Sequence, residues 1–256
     1  WRIWDRTGGG LMAELGSHQL DASGIFISSQ FEGKTKVNPL SVTAVGGRHT
    51  FPYDRDCDDH VYATYEYPGK GYYEDNDPKK AAVADANKKA VVTYSSINGN
   101  GFGGYGEIVM GTGGTLILER EKDLMLYSGS KTDTKVGYDA KKDALVDSYE
   151  TGGGAGPAAE AVTGDVSRGY REEIEHWANC IRDGAPAEEL HCHPKVALAD
   201  AVIALTTNIA IANKERIDFN PNWFDPKSDE VPGGPEAPKP RKASDVKVDV
   251  GNKSIA

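Results

Sequence analysis

The sequence has little cysteine and no excess of positive charge, and both shortages limit what kind of protein it encodes. Its three cysteines, at positions 57, 180 and 192, form an odd and sparse set, which excludes a disulfide framework and leaves both a cytoplasmic and an exported location open. Acidic residues outnumber Lys and Arg by 39 to 29, giving a formal net charge of −10. We therefore expect neither nucleic acid nor an anionic membrane surface as the main partner, because both require clustered cationic side chains.

Long apolar runs are also missing. No stretch of about 18 consecutive apolar residues occurs, so the sequence predicts no membrane span. With 38% hydrophobic and 27% charged residues, the composition is that of a globular chain able to bury a core of its own.

The order of hydrophobic patterns predicts the fold class. One helix is followed by β-rich segments that glycine turns separate, at 39–46, 61–67, 90–97, 107–110, 116–120 and 124–127. Strands joined by short glycine turns pair antiparallel, and two helices and a short last strand follow them. The sequence therefore predicts an α+β fold with an open, mostly antiparallel sheet and helices on one face. We expect this domain to cover residues 1–224, with an extended Pro- and Gly-rich tail at 225–256.

The two late helices have different patterns. The first predicts one buried stripe, because apolar residues recur at i, i+3, i+4 and i+7 at Ile174, Trp177, Ala178 and Ile181. We expect it to begin near Asp165 or Ser167 and to end at Gly184. The second begins at Pro194 and is apolar nearly all round over 195–212, so we expect it to lie buried against the sheet.

Three local motifs superficially indicate metal or nucleotide sites. The acidic segment 54–59, with Cys57 and a following His60, lacks the spacing of an EF-hand and predicts a solvated loop. The triplet His191-Cys192-His193 has no partner pair at zinc-finger spacing. The glycines of 99–104 match G-x-G-x-x-G, but a strand pattern follows instead of the helix that a dinucleotide site needs. We therefore predict no metal site and no nucleotide loop at these motifs.

The stretch from Gly8 to Asp21, GGGLMAELGSHQLD, carries the clearest chemical pattern. Glycines followed by good helix formers predict a loop that turns into a helix. On a helix, Glu14, His18 and Asp21 fall at i, i+4 and i+7 and share one face. An imidazole beside a carboxylate suits proton transfer, because it titrates near neutral pH and the carboxylate can orient it. The same pattern also occurs as a plain polar stripe on a solvated helix.

This stretch resembles the segment G-G-G-x-x-x-D-x-G-x-H-x-x-D in the C-terminal substrate domain of the glucose–fructose oxidoreductase/inositol dehydrogenase (Gfo/Idh/MocA) family. His18 matches the family histidine, Asp21 matches the last aspartate, and Glu14 stands where the family has aspartate. The exchange at position 14 keeps the charge and moves the carboxylate outward by one methylene. The resemblance extends to about Asp225.

The resemblance implies the substrate-binding portion of an oxidoreductase that moves a hydride between NAD or NADP and a hydroxyl or keto group of a sugar, polyol or glycoside. His18 would take up the substrate proton, Glu14 would orient it or bind substrate, and Asp21 would hold the site from behind. Asp59 or His60 would contact the substrate at the border of the cleft, and the alternative for His60 is a histidine that only caps the strand. The family's Rossmann domain, which holds the cofactor and a catalytic lysine, would precede this sequence. Since the sequence also opens without Met, we interpret it as the C-terminal portion of a longer polypeptide, inactive alone.

The resemblance further implies a homodimer or homotetramer that assembles through the sheet face. Two other classes of function stay open. A metal-dependent hydrolase or lyase acting on carbohydrate would use Glu14, His18 and Asp21 as ligands. A non-catalytic carbohydrate-binding or assembly module would instead use the sheet as its interface.

Overall fold

The computed structural model describes residues 1–31, 36–52, 54–98, 104–120, 123–128, 135–138, 146–149, 169–191 and 193–233. The contacts between Cα atoms divide the chain into two compact units. One comprises residues 1–101 together with 191–256, and the other comprises residues 102–190. Every residue that the sequence selects as a site candidate lies in the first unit.

The described helices and strands follow the predicted order. In chain order they are α1 (Asp5–Gly8), a π-helical turn (Met12–Gly16), α2 (Ser17–Ser28), β1 (Ser41–Gly47), β2 (His60–Pro68), β3 (Lys89–Ile97), β4 (Gly106–Gly111), β5 (Gly114–Glu119), β6 (Asp123–Ser128), β7 (Lys135–Tyr138), β8 (Val146–Tyr149), α3 (Tyr170–Asp183), α4 (Pro194–Asn213) and β9 (Ile217–Asp218). Short 3₁₀ turns lie at Glu74–Asn76, Pro78–Lys80, Ala187–Glu189 and Pro221–Phe224.

The first unit is built on a four-stranded antiparallel sheet in the order β3-β2-β1-β9. Side chains alternate along β2, where Val61, Ala63 and Tyr65 are buried and Tyr62 and Thr64 are exposed. Such alternation puts one face of a sheet in the core and leaves the other open. Helix α2 packs against β3 and α4, and α4 packs against β1. The predicted α+β class, with an open antiparallel sheet and helices on one face, is confirmed.

Helix α4 is the central helix of this core. As predicted, Pro194 is its first residue, and His193 caps it by accepting a hydrogen bond from the Lys195 backbone N–H at 3.1 Å. Cys192, the middle of the HCH triplet, lies outside the described residues. By length and composition alone α4 is apolar enough to cross a membrane. Its apolar residues do not form one unbroken run, because polar residues such as Asp200 interrupt them. It instead contributes to the core, where Ile203 is 2% exposed.

Antiparallel hairpins and α3 form the second unit. The strands β4, β5 and β6 make one three-stranded sheet, and β7 pairs with β8, so the described strands divide into three sheets. Helix α3 ends with Gly184 at φ +64°, as predicted, while the expected start at 165–167 lies outside the described residues. The predicted burial of its apolar stripe is wrong, because Ile174, Trp177 and Ile181 are 55–64% exposed. Amphipathic spacing defines a face, and no described element of this unit covers that face.

Candidate functional site

The helix that carries the predicted site begins with two glycines in a conformation that other residues rarely adopt. Gly9 and Gly10 have φ values of +67° and +66°, which cost little only for glycine. A π-helical turn, Met12–Gly16, then precedes α2. Gly16 lets Met12 pack closely, because a Cβ atom on it would lie 2.8 Å from the terminal methyl group of Met12 and would displace it. Such wide turns are rare and occur frequently at functional sites.

Glu14 lies in this π-helical turn and His18 in the first turn of α2. The His18 side chain is exposed, and within the described residues it makes no hydrogen bond or ion pair. Glu14 is partly buried, and its Oε1 atom is buried without a hydrogen-bond partner. Arg2 Nε lies 3.2 Å from that oxygen, so the two form an ion pair that lacks hydrogen-bond geometry.

Asp21 is engaged in an ion-pair network that joins two helices. Lys36 Nζ lies 2.9 Å from Asp21 Oδ1 on α2 and 2.7 Å from Asp200 Oδ1 on α4. The same ammonium group contacts the Val196 carbonyl oxygen at 3.4 Å. Burial raises the pKa of Asp200, and the neighbouring Lys36 opposes that shift. The charge of Asp21 is therefore compensated by Lys36, which suits a supporting role better than direct contact with a ligand.

Asp59 and His60 form a dyad at the start of β2. Asp59 is fully buried, and its two carboxylate oxygens accept hydrogen bonds from the backbone N–H groups of His49, Thr50 and Phe51 at 2.5–2.8 Å. His60 Nδ1 lies 2.5 Å from Asp59 Oδ1. Both oxygens of Asp59 are thus occupied, whereas His60 keeps its second ring nitrogen for other contacts.

A second imidazole stands beside this dyad. The ring centroids of His49 and His60 are 5.4 Å apart in an edge-to-face arrangement. The His49 ring packs over Gly47, where a Cβ atom would lie 2.9 Å from the ring. His49 is not among the site residues predicted from the sequence. A histidine eleven positions before His60 carries no local pattern to show that the two rings lie close together.

The structure brings only some of the predicted residues together. Glu14 and the loop before β2 are linked through Arg2, whose side chain pairs with Glu14 and whose carbonyl oxygen accepts a hydrogen bond from Cys57. Glu14, His18 and Asp21 follow one another along one helical segment. Asp59 and His60 form a separate group, and within the described residues no hydrogen bond or ion pair joins them to His18. Nor do the described residues contain a group of three His, Cys, Asp or Glu side chains placed to hold a metal ion.

Only the end of the glycine motif at 99–104 lies within the described residues. Gly99 and Gly101 lie outside the described residues. Gly104 is followed by β4, which begins at Gly106, and no helix starts there. A Cβ atom on Gly106 would lie 2.2 Å from the Leu118 carbonyl oxygen, so this glycine permits close pairing of strands. A pyrophosphate needs a helix N-terminus directly after such glycines.

Comparisons with known proteins support the fold. A comparison with protein-family models gives no match, and neither does one with curated protein sequences. Among solved structures, a protein described as an NADPH-dependent oxidoreductase from Desulfitobacterium hafniense is similar over 85% of this chain and 50% of that protein's length. The TM-score is 0.50 and the identity 17%. At this identity the likeness establishes a shared fold.

Two further solved structures match at lower scores. An oxidoreductase from Sinorhizobium meliloti matches over 83% of this chain and 53% of its own length, with a TM-score of 0.48 and 16% identity. An oxidoreductase from Agrobacterium radiobacter, in complex with NAD+, L-tartaric acid and magnesium, matches over 81% of this chain and 48% of its own length, with a TM-score of 0.44 and 13% identity. The chain thus spans about half the length of the solved structures it matches.

Proposed function

We propose that this chain is the substrate-binding portion of a Gfo/Idh/MocA-type oxidoreductase acting with NAD or NADP on a sugar, polyol or glycoside. His18 is the acid–base group, and Glu14 accepts a hydrogen bond from the substrate or orients His18. The fold shared with an assigned oxidoreductase supports the general class. The GGG-to-Asp21 motif supports the family and the roles of the residues.

One observation carries this proposal. Within the described residues, Glu14 Oε1 is buried, is paired with Arg2 and accepts no hydrogen bond, and the exposed His18 imidazole four residues later on the same helical segment makes no hydrogen bond or ion pair. A buried carboxylate oxygen without a donor is costly. A substrate hydroxyl would supply the donor once the exposed Arg2 side chain moves aside from Glu14, and a second hydroxyl would meet a ring nitrogen of His18. This arrangement suits removal of a proton from a carbinol better than it suits a structural role.

The other predicted residues take different roles in this proposal. Asp21, paired with Lys36, fixes the helix that carries His18. Asp59 orients His60, and only His60 has a ring nitrogen left for a substrate hydroxyl. A nicotinamide, when bound, accepts or returns a hydride at the carbinol carbon. The described glycine segment before β4 does not fit a dinucleotide, so we assign the main cofactor contacts to other residues.

The proposal is tested by His18→Ala in the active oxidoreductase that contains this chain. NAD(P)H formation is followed by absorbance over a panel of sugars and polyols. We expect kcat to fall by roughly 10²–10⁴-fold, which is typical for loss of a positioned acid–base group, with little change in NAD(P) affinity. Glu14→Gln should cost less, since it keeps the shape of the side chain. His191→Ala, at another exposed histidine, is the matched control, and an unimpaired His18→Ala enzyme would contradict the mechanism.

A further inference from the structure

The backbone that carries Arg2 is held in place by the loop before β2. Cys57 Sγ donates a hydrogen bond to the Arg2 carbonyl oxygen at 3.1 Å. One residue on, the Asp56 N–H donates to the Ile3 carbonyl at 3.2 Å. Gly8 packs against the same backbone, since a Cβ atom on it would lie 3.1 Å from the Arg2 carbonyl oxygen. The position of Arg2 is therefore set by tertiary contacts from two directions.

The side chain of Arg2 is far less restricted than its backbone. It is 71% exposed, and its guanidinium carbon lies 5.3 Å from the centroid of the Trp1 ring. Its Nε atom lies 3.2 Å from Glu14 Oε1. Within the described residues, the two terminal nitrogens of the guanidinium donate no hydrogen bond. Glu14 thus engages one edge of a planar, five-donor group, and the other edge is available.

The chemistry of that free edge selects a class of ligand. A guanidinium presents two parallel N–H donors that match the two oxygens of a carboxylate or phosphate. We propose that Arg2 is a specificity-determining residue that binds an oxyanion carried by the substrate. The substrate is then an acidic or phosphorylated sugar or polyol, whose hydroxyl meets Glu14 and His18. This inference rests on the proposed function, because it takes the Glu14–His18 segment as the substrate site.

A purely structural role for Arg2 would give a different outcome. If Arg2 only neutralised Glu14, its removal would weaken the binding of neutral and anionic sugars equally. If its free edge also binds an oxyanion, removal would weaken the binding of anionic ligands more than the binding of glucose. The selectivity between ligands of equal size therefore separates the two roles.

The test uses the full chain with isotope-labelled histidine and arginine, observed by NMR. D-Gluconate, D-glucose 6-phosphate and D-glucose are titrated at equal ionic strength, and the shifts of the His18 ring and the Arg2 Nε–H are followed. We expect at least one anionic sugar to bind about tenfold or more tightly than glucose, the value of one charged hydrogen bond. The gluconate and phosphate arms identify which oxyanion the site takes.

Variants complete the test. Arg2→Gln should abolish the preference for anionic sugars, with any loss of binding caused by the unpaired Glu14 shared by all three ligands, and Arg2→Lys should restore the preference only in part. The matched control is Arg216→Gln, since Arg216 is an exposed arginine paired with Glu66 and Asp218, and it should keep the preference. A preference that persists in Arg2→Gln, or the absence of any shift with both anionic sugars, overturns the inference. Anion selection by Arg2 alongside a fully active His18→Ala enzyme would instead contradict only the proposed function.

Discussion

Two titratable residues of the loop before β2 show how burial and hydrogen bonding compete at a single side chain. Burial by itself would raise the pKa of Asp59, but backbone N–H groups and His60 donate hydrogen bonds that hold this pKa well below its usual range. At Cys57 nothing offsets burial to the same extent. Burial, together with the charges of Asp5 and Asp56, raises the pKa of the Cys57 thiol to about 11.

Replacing Asp59 by Asn should destabilise the fold strongly. The amide nitrogen of Asn would face backbone donors, and His60 would lose its carboxylate. We expect a loss of about 3 kcal/mol in the free energy of unfolding, measured by urea denaturation. The control is Asp54→Asn, at an exposed carboxylate in the same loop, which should leave the stability unchanged. Equal effects of the two changes would contradict this account of Asp59.

The same carboxylate should make stability depend on pH in a defined window. Because the pKa of Asp59 is lower in the folded state than in the unfolded state, its contribution is complete above about pH 4. That contribution is lost as the pH falls further, because the unfolded state takes up a proton at a higher pH than the folded state does. Urea titrations at several pH values should show this acid-side loss in the parent chain and a smaller loss in Asp59→Asn.

The Cys57 thiol should be unreactive in the folded chain. Its pKa of about 11 leaves almost no thiolate at pH 8, and the thiolate is the nucleophile. We expect iodoacetamide to alkylate Cys57 much more slowly than the partly exposed Cys180, with peptide mapping as the readout. Urea should remove the difference. Because the folded pKa is the higher one, stability should also fall as the pH rises from about 9 to about 11.

Among the elements, α2 and α4 are bridged by one lysine in addition to their apolar packing. Lys36 comes from the segment between α2 and β1, and its ammonium group lies between Asp21 and Asp200. The two carboxylates belong to different helices, so the lysine compensates charges that would otherwise repel each other. The helix that carries His18 is thereby fixed to the central helix of the core.

Lys36→Met should therefore loosen this contact. We expect a loss of about 2 kcal/mol in the free energy of unfolding, below the value for a fully buried pair because these side chains are 13–35% exposed. Hydrogen exchange of the α2 amides should rise as well. Lys89→Met is the matched control, since Glu66 keeps Ser41 and Arg216 as partners, and it should cost less than about 1 kcal/mol. Equal destabilisation by the two variants would contradict this role.

The elements that could be predicted from the sequence are those with a local period. Alternation along β2 and β3 and the proline at the first position of α4, Pro194, were sufficient to place strands and a helix start. Burial of α3 could not be predicted this way, because a helical stripe shows which face is apolar and says nothing of what packs against it. The π-helical turn Met12–Gly16 was also missed, since its residues are ordinary helix formers.

The same limit applies to the candidate site. The spacing of Glu14 and His18 is local and could be recognised from the motif. Lys36 and Asp200 are separated by 164 positions, and their proximity is a result of the fold with no counterpart in the sequence. Arg2 beside Glu14 likewise depends on how the loop before β2 holds the first residues of the chain.

At the scale of the whole molecule, the outer face of the four-stranded sheet is open and carries exposed β-branched and aromatic side chains. Thr43, Thr64 and Thr93 lie side by side in register across β1, β2 and β3. Val45 and Val91 on the same face are 66% and 64% exposed. Large exposed side chains on an open sheet face are typical of an interaction surface. We propose that two copies of the chain pack face to face here, as the family resemblance implies.

This assembly should be visible in solution and sensitive to charge on the face. Light scattering at micromolar concentration should give the mass of a dimer or tetramer. A stable interface of this kind buries about 800 Å² on each partner. Val45→Lys combined with Val91→Lys should shift the mass to that of a monomer, since each copy would then bury two ammonium groups without partners. The control is Val83→Lys, at a position of similar exposure in the long segment between β2 and β3. A monomeric parent chain, or a double variant that still dimerises, would contradict assembly through this face.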